Sequence, residues 1–153
     1  MTSTTIYLTW FYEDRAPQLL MPTTKDNFML EGSLSTNTEK GTRFFTGIVV
    51  KFDSERKILF GNYRNRKISI FFPEEQMNFA VKEKNKVSNY LVLRIECNTS
   101  EIKFLLREEK GADFQTLMIS KLEEKVLYIG FFSNKHDRFS HEAYITNINY
   151  EVY

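Results

Sequence analysis

The amino-acid sequence predicts an all-β protein folded as a two-layer antiparallel β-sandwich. Short apolar-alternating segments recur at intervals of about 8–12 residues, which is typical of antiparallel sandwiches and barrels. The chain contains 14 Phe and 8 Tyr residues, and these side chains favour pleated, half-buried strands. The third observation is a hairpin over residues 44–61 whose first strand is apolar on both faces, a pattern that indicates a sheet covered on both sides.

The first half of the chain divides into six candidate strands separated by polar or proline-containing breaks. The polar turn Asp53-Ser54-Glu55-Arg56 joins the strongest pair, and Pro73 ends the last of the six. A weaker candidate, residues 78–82, lies inside the charged stretch 74–89, for which we expect a surface loop or a single helical turn. The six candidates are residues 6–12, 18–21, 28–34, 44–52, 57–64 and 67–72.

The second half of the chain shows the clearer alternation. Residues 90–97 and 102–107 alternate on either side of the turn Asn98-Thr99-Ser100-Glu101, which indicates a hairpin. In residues 114–122 the apolar spacing fits a helix, while the hairpin context favours a strand over residues 114–119. Residues 126–132 and 143–153 are predicted to be the last two strands.

The doubly apolar hairpin places large side chains on the face that points away from the sandwich interior. Residues two apart share a strand face. Pairing the two strands therefore directs Ile48, and the residues two positions away from it on either side, into the core. Phe45, Val49, Leu59 and Tyr63 are left on the opposite face. Monomers avoid exposing such a patch, so we expect a cover: a loop of the same chain, a second copy, another domain or a ligand.

The composition bounds the domain organisation and the classes of partner. A chain of 153 residues with net charge +1 predicts one domain, residues 1–153, without the positive field that attracts nucleic acids. The single cysteine, Cys97, excludes an intrachain disulfide and is predicted to be buried as a small apolar side chain. The sequence shows no signal-peptide pattern and no apolar run of roughly 18 residues. We therefore expect no membrane partner and a cytoplasmic location, unless the chain is a fragment of a larger secreted protein.

Candidate catalytic and metal-binding residues are few. The pairs Glu108-Glu109 and Glu123-Glu124 lie beside turns with their members pointing apart, so they are predicted to be solvated rather than the carboxyl pair that glycoside hydrolysis needs. His136 and His141 lie in a segment predicted to be a loop, and two histidines fall short of a metal site. The sequence therefore predicts no catalytic residue, no metal site and no cofactor, and it favours a non-catalytic protein.

Two surface features allow more than one interpretation. Trp10 and Tyr12 share a strand face and could stack on a sugar ring, although core or edge packing is the simpler role. A cluster of basic residues could meet phosphate or an acidic partner, although a charged hairpin end balanced by nearby Glu residues is the favoured interpretation. The cluster comprises Arg56, Lys57, Arg64, Arg66 and Lys67.

The central hairpin carries a family resemblance. Gly47-Ile48-Val49-Val50-Lys51-Phe52-Asp53 followed by Ile58-Leu59-Phe60-Gly61 resembles the central hairpin of concanavalin A-like β-sandwich domains. It is similar, more narrowly, to the regulation-of-enolase-like domains and the C-terminal sandwich of β-xylosidases. Residues 28–31 resemble the early edge strand of these domains and residues 90–95 a later strand with an outward Arg. Residues 126–132 and 143–153 resemble the penultimate and last strands.

The resemblance implies two stacked, curved sheets with jelly-roll connections and a concave face, on which many members of the superfamily bind carbohydrate. The concave face would be lined by Phe45, Val49, Leu59, Tyr63, Arg94 and Glu96.

Three functional hypotheses follow. The first is a non-catalytic module that binds carbohydrate or a related small ligand on the concave face. The second is a protein-interaction or homodimerisation domain that uses the apolar patch on this face, and the third is an enzyme acting on an apolar small molecule. The ligand-binding residues expected under the first hypothesis are Phe45, Val49, Leu59, Tyr63, Arg94, Glu96 and Trp10.

Overall fold

The computed structural model describes residues 6–10, 18–23, 25–37, 44–83, 90–135 and 141–153. These residues form twelve strands and one short 3-10 turn, Pro73–Glu75. The strands are β1 (Ile6–Trp10), β2 (Gln18–Pro22), β3 (Phe28–Asn37), β4 (Phe44–Phe52), β5 (Lys57–Tyr63), β6 (Lys67–Phe72), β7 (Met77–Glu83), β8 (Val92–Cys97), β9 (Glu101–Arg107), β10 (Gln115–Lys121), β11 (Val126–Lys135) and β12 (His141–Val152).

The strands form two six-stranded sheets, and the predicted two-layer sandwich is confirmed. Sheet I has the order β1-β12-β3-β8-β9-β10, and sheet II has the order β2-β11-β4-β5-β6-β7. Consecutive strands are neighbours in the β8-β9-β10 and β4-β5-β6-β7 parts, whereas β1 pairs with β12 and β2 pairs with β11. The two ends of the chain therefore meet on one side of the sandwich, in both layers.

The main core lies between the two sheets. In the central hairpin Ile48 pairs with Phe60 and Val49 pairs with Leu59, as the alternation predicts. Ile48 and Phe60 face the interior, where the Phe60 ring meets Phe104 of β9 edge-on at 5.2 Å between centroids. Cys97 lies in the same core as Leu93 and Ile95, so its predicted burial is confirmed.

The structure decides three local predictions. The expected loop 74–89 contains the strand β7, which pairs with β6 and confirms the weaker strand candidate at residues 78–82, while residues 84–89 lie outside the described part. Residues 115–121 form the strand β10, so the strand that the hairpin context favours is confirmed and the alternative helix is not. The prediction of an early edge strand at residues 28–31 is wrong, because β3 is hydrogen-bonded to β12 on one side and to β8 on the other.

Candidate functional site

The seven residues predicted to bind ligand fall on two different sheets. Phe45, Val49, Leu59 and Tyr63 lie on β4 and β5 in sheet II, whereas Arg94 and Glu96 lie on β8 in sheet I. Trp10 ends the edge strand β1 of sheet I, and its side chain lies outside the described part. The predicted convergence of Tyr63, Arg94 and Glu96 on one concave face is therefore wrong. The alternation within a strand shows which residues share a face, but it does not show which sheet the strand joins.

The outer face of sheet II carries a second apolar core. Phe45, Val49, Leu59 and Phe132 retain only 6%, 0%, 3% and 0% of their accessible surface. The Phe45 ring meets the Phe132 ring at 5.0 Å and the Tyr63 ring at 5.9 Å, both edge-on. This second core is separate from the core between the sheets, as the doubly apolar hairpin predicts.

Burial of the second core bears on two of the functional hypotheses. The single chain itself removes Phe45, Val49 and Leu59 from solvent, which agrees with a cover from the same chain. These three residues are not accessible ligand contacts. The exposed apolar patch on which the protein-partner hypothesis rested is likewise not present on this face.

Two opposed glycines bring β4 and β5 unusually close at the centre of the second core. Gly47 and Gly61 are register partners. A Cβ on Gly47 would lie 2.0 Å from the carbonyl oxygen of Phe60, and a Cβ on Gly61 would lie 2.0 Å from that of Thr46. Neither position accommodates a side chain without separating the strands. The two glycines therefore fix the spacing of the hairpin on which Phe45, Val49 and Leu59 sit.

The outer face of sheet I is different, because it gathers charged side chains that remain partly exposed. Arg94 lies between two carboxylates, with Nη1 3.4 Å from Glu31 Oε1 and Nε 2.9 Å from Glu96 Oε2. The second contact is an ion pair in which the N–H is not aligned for a hydrogen bond. The side chains of Arg94, Glu31 and Glu96 keep 24%, 19% and 33% of their accessible surface, so all three can be reached from solvent.

An aromatic ring and a second arginine complete this cluster. Phe114 lies just before β10, and its ring lies next to two arginines. The guanidinium carbon of Arg94 is 5.2 Å from the ring centroid, and the guanidinium carbon of Arg107 is 4.5 Å from it. Arg107 also lies 5.9 Å from the Tyr90 ring centroid. We call Glu31, Arg94, Glu96, Arg107 and Phe114 the arginine face.

The floor of the arginine face is apolar. Three buried apolar residues lie on the outer face of sheet I, one each on β3, β8 and β9: Met29, Val92 and Leu105. Each is the register partner of a charged residue of the arginine face and therefore lies on the same side of the sheet. The partners are Glu96 for Met29, Arg107 for Val92 and Arg94 for Leu105. Charged groups held above buried apolar side chains form a surface with both polar and apolar contacts, which is the usual composition of a small-ligand site.

The sequence predicted two of the five residues of the arginine face. The sequence did not predict the other three residues, Glu31, Arg107 and Phe114. Their positions next to Arg94 depend on the register between strands and on where the β9–β10 connection ends. One available signal is the alternation of β9, which places Arg107 on the face opposite to Phe104. The register partner of Glu31 could not be obtained from alternation alone.

The remaining charged groups have mainly structural partners. Arg56 pairs with Glu75 and lies 2.6 Å from Glu124, so the predicted balance of this hairpin end by Glu residues is confirmed for Arg56. Hydrogen bonds from the Ser54 side chain and then from Arg56 lower the pKa of Glu124. The prediction that Glu108 is solvated is wrong, because this side chain is buried and pairs with Lys82 of β7.

Metal-binding and membrane-spanning features were also sought in the described residues. Within those ranges, no group of three or more His, Cys, Asp or Glu side chains could hold a metal ion. The same part of the chain contains no helix long and apolar enough to cross a membrane. His136 lies outside the described part, so its predicted loop position stays a prediction. The loop prediction for His141 is wrong, because its backbone begins β12 and pairs with Trp10 of β1; its side chain lies outside the described part.

Comparison with known proteins identifies the fold. No protein-family model and no curated protein sequence matches this chain. Among solved structures, a functionally unknown protein from Saccharomyces cerevisiae has a TM-score of 0.73 at 12% identity, covering 99% of this chain and 88% of that one. A legume lectin-like domain from Entamoeba histolytica has a TM-score of 0.62 at 10% identity, with coverages of 99% and 90%.

A longer enzyme chain contains a similar sandwich. Xylan β-1,4-xylosidase from Bacillus halodurans matches with a TM-score of 0.65 at 11% identity over 88% of this chain, which spans only 30% of the xylosidase. These likenesses define the fold as a two-layer β-sandwich. The chain has the concanavalin A-like fold, and the resemblance noted in its central hairpin is confirmed at the level of fold.

Proposed function

We propose that this chain is a non-catalytic binding module that takes a carbohydrate or a related polar small ligand on the arginine face. The observation that carries the proposal is the position of Arg94, held between Glu31 and Glu96, beside Phe114 and above an apolar floor. The three charged side chains are partly exposed and already oriented by their mutual contacts. A site whose groups are preorganised loses less conformational freedom when a ligand binds.

The chemistry of the cluster suits a sugar. Hydroxyl groups both donate and accept hydrogen bonds, carboxylates accept them and a guanidinium donates them. The arginine face places both kinds of partner on three adjacent strands. The lectin-like domain and the xylosidase that share the fold support a carbohydrate as the ligand class.

A glycan array followed by isothermal titration calorimetry tests the proposal. We expect Arg94→Ala and Phe114→Ala each to weaken binding of the selected glycan by about tenfold or more, the scale of one lost charge-assisted hydrogen bond or ring contact. Glu96→Gln, which keeps the shape of the side chain, is expected to weaken it less. The matched control is Arg66→Ala, an exposed arginine in the β5–β6 turn of sheet II, which should bind as the unmodified protein does.

Two results would contradict the proposal. One is an array without any bound glycan. The other is a bound glycan whose affinity is the same in the unmodified protein and in a folded Arg94→Ala variant. Thermal unfolding of each variant shows whether it is folded.

A further inference from the structure

We infer that the ligand of the arginine face carries a carboxylate, as an acidic sugar does, and that Arg107 binds it. This inference rests on the proposed function and adds the charge of the ligand. It is carried by three observations: Arg107 has no acidic partner among the described residues, it is held in a fixed orientation by two rings, and it lines a cavity.

Among the described residues, Arg107 has no carboxylate partner: no ion pair in these ranges includes it. By contrast, Arg56 and Arg94 each pair with two carboxylates. The Nε of Arg107 is buried, and no described residue accepts a hydrogen bond from it. A bound anion would supply the charge partner that the described residues do not provide.

Two aromatic rings hold the Arg107 guanidinium. Its central carbon lies 4.5 Å from the Phe114 centroid and 5.9 Å from the Tyr90 centroid. Stacking on aromatic faces fixes the plane of a guanidinium without using its N–H donors. The donors therefore remain available to a ligand in a defined direction.

Arg107 also lines a cavity of about 410 Å³ formed by the ends of β7 and β9, the β9–β10 connection and the start of β10. This volume is within the range of small-ligand sites. Arg107 is the residue that this cavity shares with the arginine face. The rest of the wall includes Leu106, Ala112 and Gln115, together with the charged residues Lys82, Glu83, Glu108, Glu109 and Asp113.

The charges around the cavity define the anion it suits. Lys82 is paired with Glu108, which leaves Arg107 as the lining cation without a carboxylate partner among the described residues. Glu83, Glu109 and Asp113 are exposed, where solvent and salt screen them. They still disfavour a doubly charged group, so a singly charged carboxylate fits better than a phosphate ester. The planar carboxylate also matches the guanidinium fork with two parallel hydrogen bonds.

Calorimetry with matched acidic and neutral sugars tests this inference. The probes are galacturonate and glucuronate, their neutral methyl esters, and galactose 1-phosphate as a doubly charged comparison. We expect the protein to bind at least one of the two acids about tenfold or more tightly than its ester. Arg107→Gln should reduce this preference to less than about twofold by weakening binding of the acid more than binding of the ester, while Arg66→Gln should preserve the preference.

The outcomes separate this inference from the proposed function. Equal affinity for acid and ester, tighter binding of galactose 1-phosphate, or an array that selects only neutral glycans would overturn the carboxylate assignment and leave the proposed function standing. Absence of any bound glycan would overturn both. If Arg107→Gln does not fold, Arg107→Lys replaces it: this variant keeps the charge without the planar fork, and an undiminished preference for the acid would contradict the role assigned to Arg107.

Discussion

The second apolar core on the outer face of sheet II makes a quantitative prediction for Val49. Val49 and its neighbour Val50 are both fully buried, Val49 on the outer side of sheet II and Val50 between the sheets. Replacing Val by Thr keeps the shape and adds a hydroxyl, and burying a hydroxyl without a partner costs about 1–3 kcal/mol in proteins. We therefore expect Val49→Thr and Val50→Thr to lower the free energy of unfolding by similar amounts within that range.

The matched control for Val49→Thr is the same substitution on an exposed strand position. Val152, in β12, keeps 41% of its accessible surface, so Val152→Thr should change the free energy of unfolding by less than about 0.5 kcal/mol. Urea denaturation followed by far-ultraviolet circular dichroism measures all three variants. The melting temperature should fall by about 2–4 °C for each kcal/mol lost in a chain of this size.

One result would refute the reasoning about Val49. If Val49→Thr resembles Val152→Thr and not Val50→Thr, the outer face of sheet II is open to solvent. Phe45, Val49 and Leu59 would then again be candidate ligand contacts, and the protein-partner hypothesis would regain its basis.

Three further predictions follow from single positions. The Tyr150 hydroxyl is buried and has no hydrogen-bond partner among the described residues, so Tyr150→Phe should raise the free energy of unfolding by about 1 kcal/mol; a loss of stability in urea denaturation would contradict this. Burial raises the pKa of the Cys97 thiol from 9.0 to about 12, so above pH 9 the unfolded chain releases a proton that the folded chain retains. The unmodified protein should then lose stability with rising pH by about 1.4 kcal/mol per pH unit more than Cys97→Ala between these values, and parallel pH profiles would contradict it. Gly61→Ala places a Cβ against the Thr46 carbonyl and should cost about 1–3 kcal/mol, whereas an unchanged urea midpoint would show that the strands can separate freely.

The elements of the fold could be predicted from the sequence because each depends on local alternation. The β4–β5 hairpin, its polar turn and the opposite orientation of Ile48 and Val49 follow from a period of two, and the structure has all three. The strand β7 was weakly indicated because its residues lie in a charged stretch, and its pairing with β6 supplies backbone hydrogen bonds that composition does not reveal.

The candidate site was harder to predict because it depends on long-range pairing. Arg94 was correctly placed on the outward face of its strand, yet its contact with Glu31 joins residues 63 positions apart. The register of β3 against β8 creates that contact, and nothing local to either strand specifies it. Phe114 showed only an apolar spacing consistent with a helix, which gave no indication that its ring lies against two arginines.

The two outer faces of the sandwich therefore have different roles for a physical reason. Sheet II buries apolar residues on both sides, so substitutions on either face meet packed side chains and carry a stability cost. On sheet I the outward face keeps partly exposed charges above an apolar floor, and the main core lies on its other side. Under the proposed function, changes among Glu31, Arg94, Glu96 and Arg107 would alter ligand binding with little effect on the main core. The proposed specificity of sheet I could then vary while sheet II and the main core maintain the fold.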